Sequence, residues 1–281
     1  MFRNDLSGQQ IDNYELVSRI SRGGMAIIYK AIQKPSGRVV ALKLLDLNAS
    51  GEQREEHVRR FRREAEIITR LEHMNILPIY GYGIHENEYA YIAMRLAGGG
   101  SLAEQLVRQP LSVDRAIEIF LQVASALGAA HAQGIIHRDI KPSNVLLDET
   151  ANAYLTDFGL ATFTDFATRL TASNALIGTP AYVSPEMILS QTATRRSDVY
   201  GLGVLLHHMI AGAPPFHYSG SNIAELLKQH INQPPPPLRT IAPNVPVELE
   251  AIVLRALAKD PDMRYADACE MARAVQALPI G

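Results

Sequence analysis

The apolar positions of this chain change period partway along it. Over residues 14–45 they come in short runs rich in β-branched types; Val39, Val40, Ala41 and Leu42 form the clearest, just after the turn residues Pro35, Ser36 and Gly37. This pattern predicts strands. Val58, Phe61, Ala65, Ile68 and Leu71 then recur three and four apart, which predicts an amphipathic helix with a basic outer face. Strands are predicted again over 76–84 and 89–96, with His85, Glu86, Asn87 and Glu88 as the turn, and Gly98, Gly99 and Gly100 as a flexible joint.

Beyond that joint the pattern is helical. Ile117, Phe120, Leu121, Ala124 and Leu127 form a second stripe, and Gly134 suits its end. Residues 199–211 are apolar nearly all round and predict a buried helix. Four prolines at 234–237 must lie in a loop, and helices over 247–258 and 266–278 close the chain. A small strand-rich lobe followed by a larger helical one is expected, with the cleft between lobes as a natural place for a ligand.

With 281 residues, 47% of them hydrophobic and 20% charged, the chain can bury a sizeable core. A formal net charge of −2 gives no general attraction to nucleic acid, and none is expected as a partner. The single cysteine, Cys269, excludes an internal disulfide and is expected as a small apolar residue in a C-terminal helix. No run approaches the roughly 20 apolar residues of a membrane span. A cytoplasmic location is expected, as a free protein or as the cytoplasmic part of a longer membrane-anchored one.

The chemistry concentrates in two stretches. One is His137, Arg138, Asp139, Ile140, Lys141, Pro142, Ser143 and Asn144; the other is Asp157, Phe158 and Gly159, beginning thirteen residues after Asn144. Carboxylates and an amide are the hard oxygen donors that Mg²⁺ prefers. Upstream, Lys43 ends an apolar strand, where an ammonium is costly unless it meets a carboxylate or a phosphate. Glu64 is the expected partner, because it shares the inward stripe of its helix with Phe61 and Ile68, while Glu66 faces elsewhere.

These stretches in this order resemble the catalytic loop, the metal-binding triplet and the lysine-bearing strand of eukaryotic-type Ser/Thr protein kinases, most of all the bacterial members. The resemblance covers residues 14–278. It implies an α+β, bilobal protein kinase fold, with a β-rich N-lobe (14–97) holding one main helix, a mostly α-helical C-lobe (98–278), and an N-terminal extension (1–13). It implies transfer of the γ-phosphoryl group of Mg-ATP to Ser or Thr hydroxyls of proteins, with Mn²⁺ as an alternative metal.

By the same resemblance Asp139 is the base, Lys141 neutralises the migrating phosphoryl group, Asn144 and Asp157 hold the metal, and Lys43 with Glu64 steadies the phosphates. Ile20, Ile28, Ala41 and Leu146 would enclose the adenine, Met94 would limit the pocket's depth, and the backbone of Arg95 and Ala97 would bond the purine edge. The phosphate-covering loop departs from the family: Ser21 and Ala26 stand where the first and third glycines are usual, leaving Gly23 and Gly24. Gly178 to Glu186 resembles the peptide-receiving segment, with Arg264 the partner of Glu186 and Asp198 the anchor of the catalytic loop. Thr171 or Ser173 is the expected site of autophosphorylation, for which a homodimer acting in trans is allowed. The alternative reading is a pseudokinase scaffold. His207 and His208, adjacent on one helix, face different ways and do not form a zinc pair.

Overall fold

A computed structural model of the chain describes residues 5–23, 26–47, 52–86, 88–158, 179–217 and 223–278. They fall into two compact units, one of residues up to Glu72 with Leu77–Ala97, the other of His73–Ile76 with the residues from Gly98 onward.

Alternating apolar residues build the first unit. Its antiparallel sheet runs in the order β1 (Gln10–Ile11), β2 (Tyr14–Arg22), β3 (Ala26–Gln33), β4 (Arg38–Asp46), β6 (Tyr89–Arg95), β5 (Ile79–His85). Tyr29 lies opposite Leu42, and Leu42 opposite Ala93, so these side chains share one face and join Leu16, Ile27, Val40 and Leu44 in an apolar cluster. Period two sends Ile28, Ala41, Lys43 and Met94 to the other face. Helix α1 (Glu52–Thr69) packs on that second face, with Phe61 edge-on to Tyr82, the residue opposite Ile92.

The residues before Tyr14 do not stand apart from the sheet. Leu6 and Ile11 join its apolar cluster, the Leu6 N–H donates to the Tyr29 hydroxyl at 3.0 Å, and that hydroxyl donates to Asp5 at 3.1 Å. An N-terminal extension is thus, over residues 5–13, a strap and edge strand covering surface that would otherwise be wet.

The second unit is mostly helical, with α2 (Leu102–Leu106), α3 (Val113–Ala132), α4 (Pro185–Ile188), α5 (Arg195–Ala211), α6 (Ile223–Asn232), α7 (Val247–Ala256), α8 (Ala268–Gln276) and the hairpin β7 (Val145–Leu147)–β8 (Ala153–Leu155). Helix α5 is its axis. A capping box at Thr194 starts it, Gly212 with φ 77° ends it, and α3, α7 and α8 pack around it. Helix α6, not predicted from the pattern, is amphipathic but short, and buries only Leu226 and His230.

Two expectations are corrected here. Gly98, Gly99 and Gly100, expected as a flexible joint, begin the second unit and are closely packed. Gly99 donates to the Leu147 carbonyl and Leu147 to that of Gly100, both at 2.9 Å, and a Cβ on Gly99 would lie 2.4 Å from the Asp148 carbonyl oxygen. The glycines are there for close approach. Cys269 does lie in a C-terminal helix but is exposed, because α8 buries the face of Ala268, Met271 and Val275, and the next residue along turns about 100° away. Among the described residues, no helix is long and apolar enough to cross a membrane.

Candidate active site

In the first unit the register of the sheet gathers the predicted residues. Lys43 is 9% exposed on β4, between Ile28 on one neighbouring strand and Ile92 on the other. Ala41, two residues back on the same face, lies opposite Met94. Glu64 is half-buried on the α1 face that carries Phe61, Ala65 and Ile68, whereas Glu66 is exposed and pairs with Arg70. Ile20 sits in a bulge of β2 and is 49% exposed. The Gly23 N–H closes the β2–β3 turn on the Ala26 carbonyl at 2.8 Å; Gly24 lies outside the described residues. Arg95 and Ala97 are half-buried, and the Arg95 N–H is committed to the Pro78 carbonyl at 2.9 Å. Any purine contact from Arg95 therefore falls to its carbonyl.

The second unit holds Asp139, Lys141, Asn144 and Asp157. Asp198, 1% exposed near the start of α5, accepts from the His137 and Arg138 N–H groups at 2.8 Å each and from His131 Nε2 at 2.9 Å. Arg138 has φ 67°, a left-handed conformation costing a non-glycine residue roughly 1–2 kcal/mol, and two amides bonded to one carboxylate hold it there. The chain then turns Asp139 toward Lys141 and Asn144. Lys141 Nζ lies 2.8 Å from Asp139 Oδ2, and the Asn144 amide donates to the Asp139 carbonyl at 2.7 Å and to Oδ2 at 3.1 Å.

Thr156 ties the second motif to the first. Its N–H donates to the Asn144 carbonyl at 3.0 Å, and its own carbonyl accepts from His137 Nε2 at 2.9 Å. The Asp139 N–H donates to His137 Nδ1 at 3.2 Å, so that imidazole is bonded at both nitrogens. It also packs on Phe158, ring centres 4.7 Å apart. Asp157 follows Thr156 directly, with φ 66°. Asp139, Lys141, Asn144 and Asp157 are thereby brought together, and Leu146 is half-buried on β7, opposite Tyr154. Thr171 and Ser173 lie outside the described residues.

The order of these loops around a buried anchor is matched by known proteins. Residues 14–277 match the protein kinase domain family. The chain belongs to that family. It is 38% identical to the serine/threonine-protein kinase PknE of Mycobacterium tuberculosis over 271 residues, 96% of this chain and 47% of that protein. It is equally identical to PrkC of Bacillus subtilis over 268 residues, 95% of this chain and 40% of the relative. The chain thus spans less than half the length of these curated relatives. The crystal structure of the M. tuberculosis PknI kinase domain superposes with a TM-score of 0.75 at 28% identity, covering 96% of this chain and 97% of that one. The fold is the bilobal α+β protein kinase fold.

Kinases of this family act with ATP and a divalent metal, and the donors present suit a hard cation. Asn144 spends its amide hydrogens on Asp139, so its oxygen is the atom it could offer a cation, and Asp157 carries a carboxylate. Two protein oxygens are few for a dedicated cage but suit Mg²⁺, which keeps waters and takes substrate phosphates. The paired histidines go elsewhere: His207 Nδ1 meets the Ala213 carbonyl at 3.0 Å, and His208 Nδ1 the Tyr182 hydroxyl.

Two further groups complete the kinase core. Arg264, 2% exposed, forks both carboxylate oxygens of Glu186 at 2.9 Å and donates to the carbonyls of Ala258, Lys259 and Arg196. Its expected pairing is present. His131 was not expected from sequence; it continues the apolar stripe four residues past Leu127, and a histidine on an apolar face was the available signal.

Proposed function

We propose that this chain is a serine/threonine protein kinase that transfers the γ-phosphoryl group of ATP, with Mg²⁺ or alternatively Mn²⁺, to hydroxyls of protein substrates. The observation that carries the reading is the Asp139 carboxylate, gripped by Lys141 and Asn144 in a loop pinned to Asp198. Bound at Asn144 and Asp157, the metal supplies charge neutralisation at the phosphates. Asp139 takes the proton of the attacking Ser or Thr hydroxyl as its oxygen bonds to the γ-phosphorus and the bond to the β-phosphate oxygen breaks, releasing ADP. Lys141 offsets the negative charge that Asp139 and the incoming phosphoryl oxygens share. Lys43, oriented by Glu64, steadies the remaining phosphates. Ile20, Ile28, Ala41, Met94 and Leu146 supply apolar surface for the adenine, with the Arg95 carbonyl and the Ala97 backbone at its edge; Gly23 and Gly24 let backbone approach the phosphates.

The family domain spans residues 14–277, and the N-lobe and C-lobe of this reading meet at Ala97 and Gly98. Autophosphorylation at Thr171 or Ser173, in cis or within a homodimer, would add roughly −1.5 to −2 charge for Arg138 to meet. A cytoplasmic site of action, alone or within a longer anchored protein, belongs to the same reading. Radiolabelled ATP with a generic basic protein tests it. Wild type should label the acceptor, and Asp139→Asn should lose on the order of 10²–10⁴ of that rate, the scale of general base catalysis. Equal, negligible labelling by both would refute the enzyme.

A further inference from the structure

Beside the Glu186–Arg264 pair lies a half-buried charge that the reaction does not use. Lys259 precedes the turn that carries Arg264, and Arg264 donates to its carbonyl at 3.0 Å. The Lys259 side chain runs the other way. Its Nζ donates to the carbonyls of His230 at 2.7 Å and Gln229 at 3.2 Å, in the last turn of α6, and sits 4.3 Å from the centre of the Phe216 ring. A cation there meets the negative end of the helix dipole, and it shares the Gln229 carbonyl with the Gln233 N–H, which donates at 2.9 Å.

Helix α6 packs against both the Thr179–Tyr182 turn and α4, the segment that resembles the peptide-receiving one. His230, 0% exposed, is its one buried polar residue, and Phe216 and Tyr200 both pack against that imidazole. Burial, with Lys259 adding repulsion, pushes His230 down to about 3, so the ring is neutral, and its Nδ1 is hydrogen-bonded to the Tyr200 hydroxyl at 2.8 Å. Its Nε2 has no hydrogen-bond partner among the described residues, although the Ala181 backbone is close enough to act on the ring.

We infer that Lys259 is a positioning residue for the protein acceptor: it clamps the end of α6 to the Arg264–Glu186 pair and so holds α6 against the acceptor-receiving segment. This rests on the kinase reading above. Burial, together with repulsion from Arg264, brings the Lys259 ammonium down to about 8, so at neutral pH it remains protonated, with every hydrogen available as a donor. Its backbone and its side chain thus hold the two sides of the same segment.

The test uses the whole chain, ATP and a generic basic protein. Lys259→Met keeps the stem on Phe216 and removes the donors. It should raise the KM for the acceptor about tenfold while KM for ATP and kcat stay within about twofold, the signature of lost acceptor binding. Lys259→Arg should restore most of the loss. Backbone hydrogen exchange should quicken in α6 and not in α7. Lys259→Gln, which keeps two N–H donors on a shorter stem, should fall between and serves if Lys259→Met does not fold. An unchanged acceptor KM, an equal rise in KM for ATP, or unchanged exchange in α6 would overturn the role of Lys259 alone; a wild-type chain that moves no phosphate would overturn the kinase reading instead.

Discussion

At the scale of single residues, the site depends on buried charges that are each met by several partners. Arg264 is the clearest case. Taking a guanidinium and a carboxylate out of water is costly, and the fork to Glu186 plus three carbonyls offsets that cost only while all are present. Arg264→Met should therefore destabilise the protein by about 3–5 kcal/mol, because it strands the Glu186 carboxylate, and thermal unfolding should show it. Burial pushes the Glu186 carboxyl up, but the Arg264 bonds outweigh it and hold the group below its ordinary value. A depressed carboxylate contributes stability above its unfolded pKa and loses it as pH falls through the folded one. The melting temperature of wild type should therefore fall on acidification below about 4.5, more steeply than that of Glu186→Gln.

At the scale of elements, glycines decide how closely the catalytic loop is held. A Cβ on Gly201 of α5 would sit 3.0 Å from the Ile140 Cβ, so Gly201→Ala must push the residue next to Asp139 outward by a few tenths of an ångström. Stability should drop by about 1–3 kcal/mol through overpacking, and kcat should fall several-fold while KM for ATP holds. At Gly99 the obstacle is backbone rather than side chain, with the Asp148 carbonyl oxygen 2.4 Å from the added atom. Gly99→Ala should therefore cost more stability than Ser101→Ala, the loss of a capping box worth about 1 kcal/mol, and urea unfolding of the two variants makes the comparison. The elements that the sequence pattern missed, the ten-residue α6 apart, share a cause. Strands β1, β7 and β8 have two or three residues each, and α2 has five, too few for a period to register.

At the scale of the molecule, two neutral histidines, one buried and one half-buried, shape the response to acid. Burial, with repulsion from His207, brings His208 down to about 4, and burial with Lys259 brings His230 to about 3, both from near 6.5. Their folded pKa values lie below the unfolded ones, so under pH 6.5 the unfolded chain binds protons that the folded chain refuses. Stability is lost as pH falls from 6.5 toward 4. Near pH 5 unfolding should take up about two protons at these sites, and a His208→Asn variant about one fewer, measurable as the slope of unfolding free energy against pH.

Much of this protein kinase domain could be read from its residues in order. The period of the apolar positions located the central strands, α1, α3, α5, α7 and α8, because burial on one face repeats with the geometry of the element itself. Asp139, Lys141, Asn144 and Asp157 stood out because their stretches resemble the kinase catalytic loop and metal-binding triplet, and the fold brings Asp139 against Lys141 and Asn144. Folding decided what depends on residues far apart in the chain: that Thr156 binds the two motifs together, that His131 shares Asp198 with the loop, that residues 5–13 cover a sheet face, and that Lys259 holds α6. Such contacts leave no local period. They arise where a desolvated polar group must find a partner, and which partner is in reach is known only once the chain has packed.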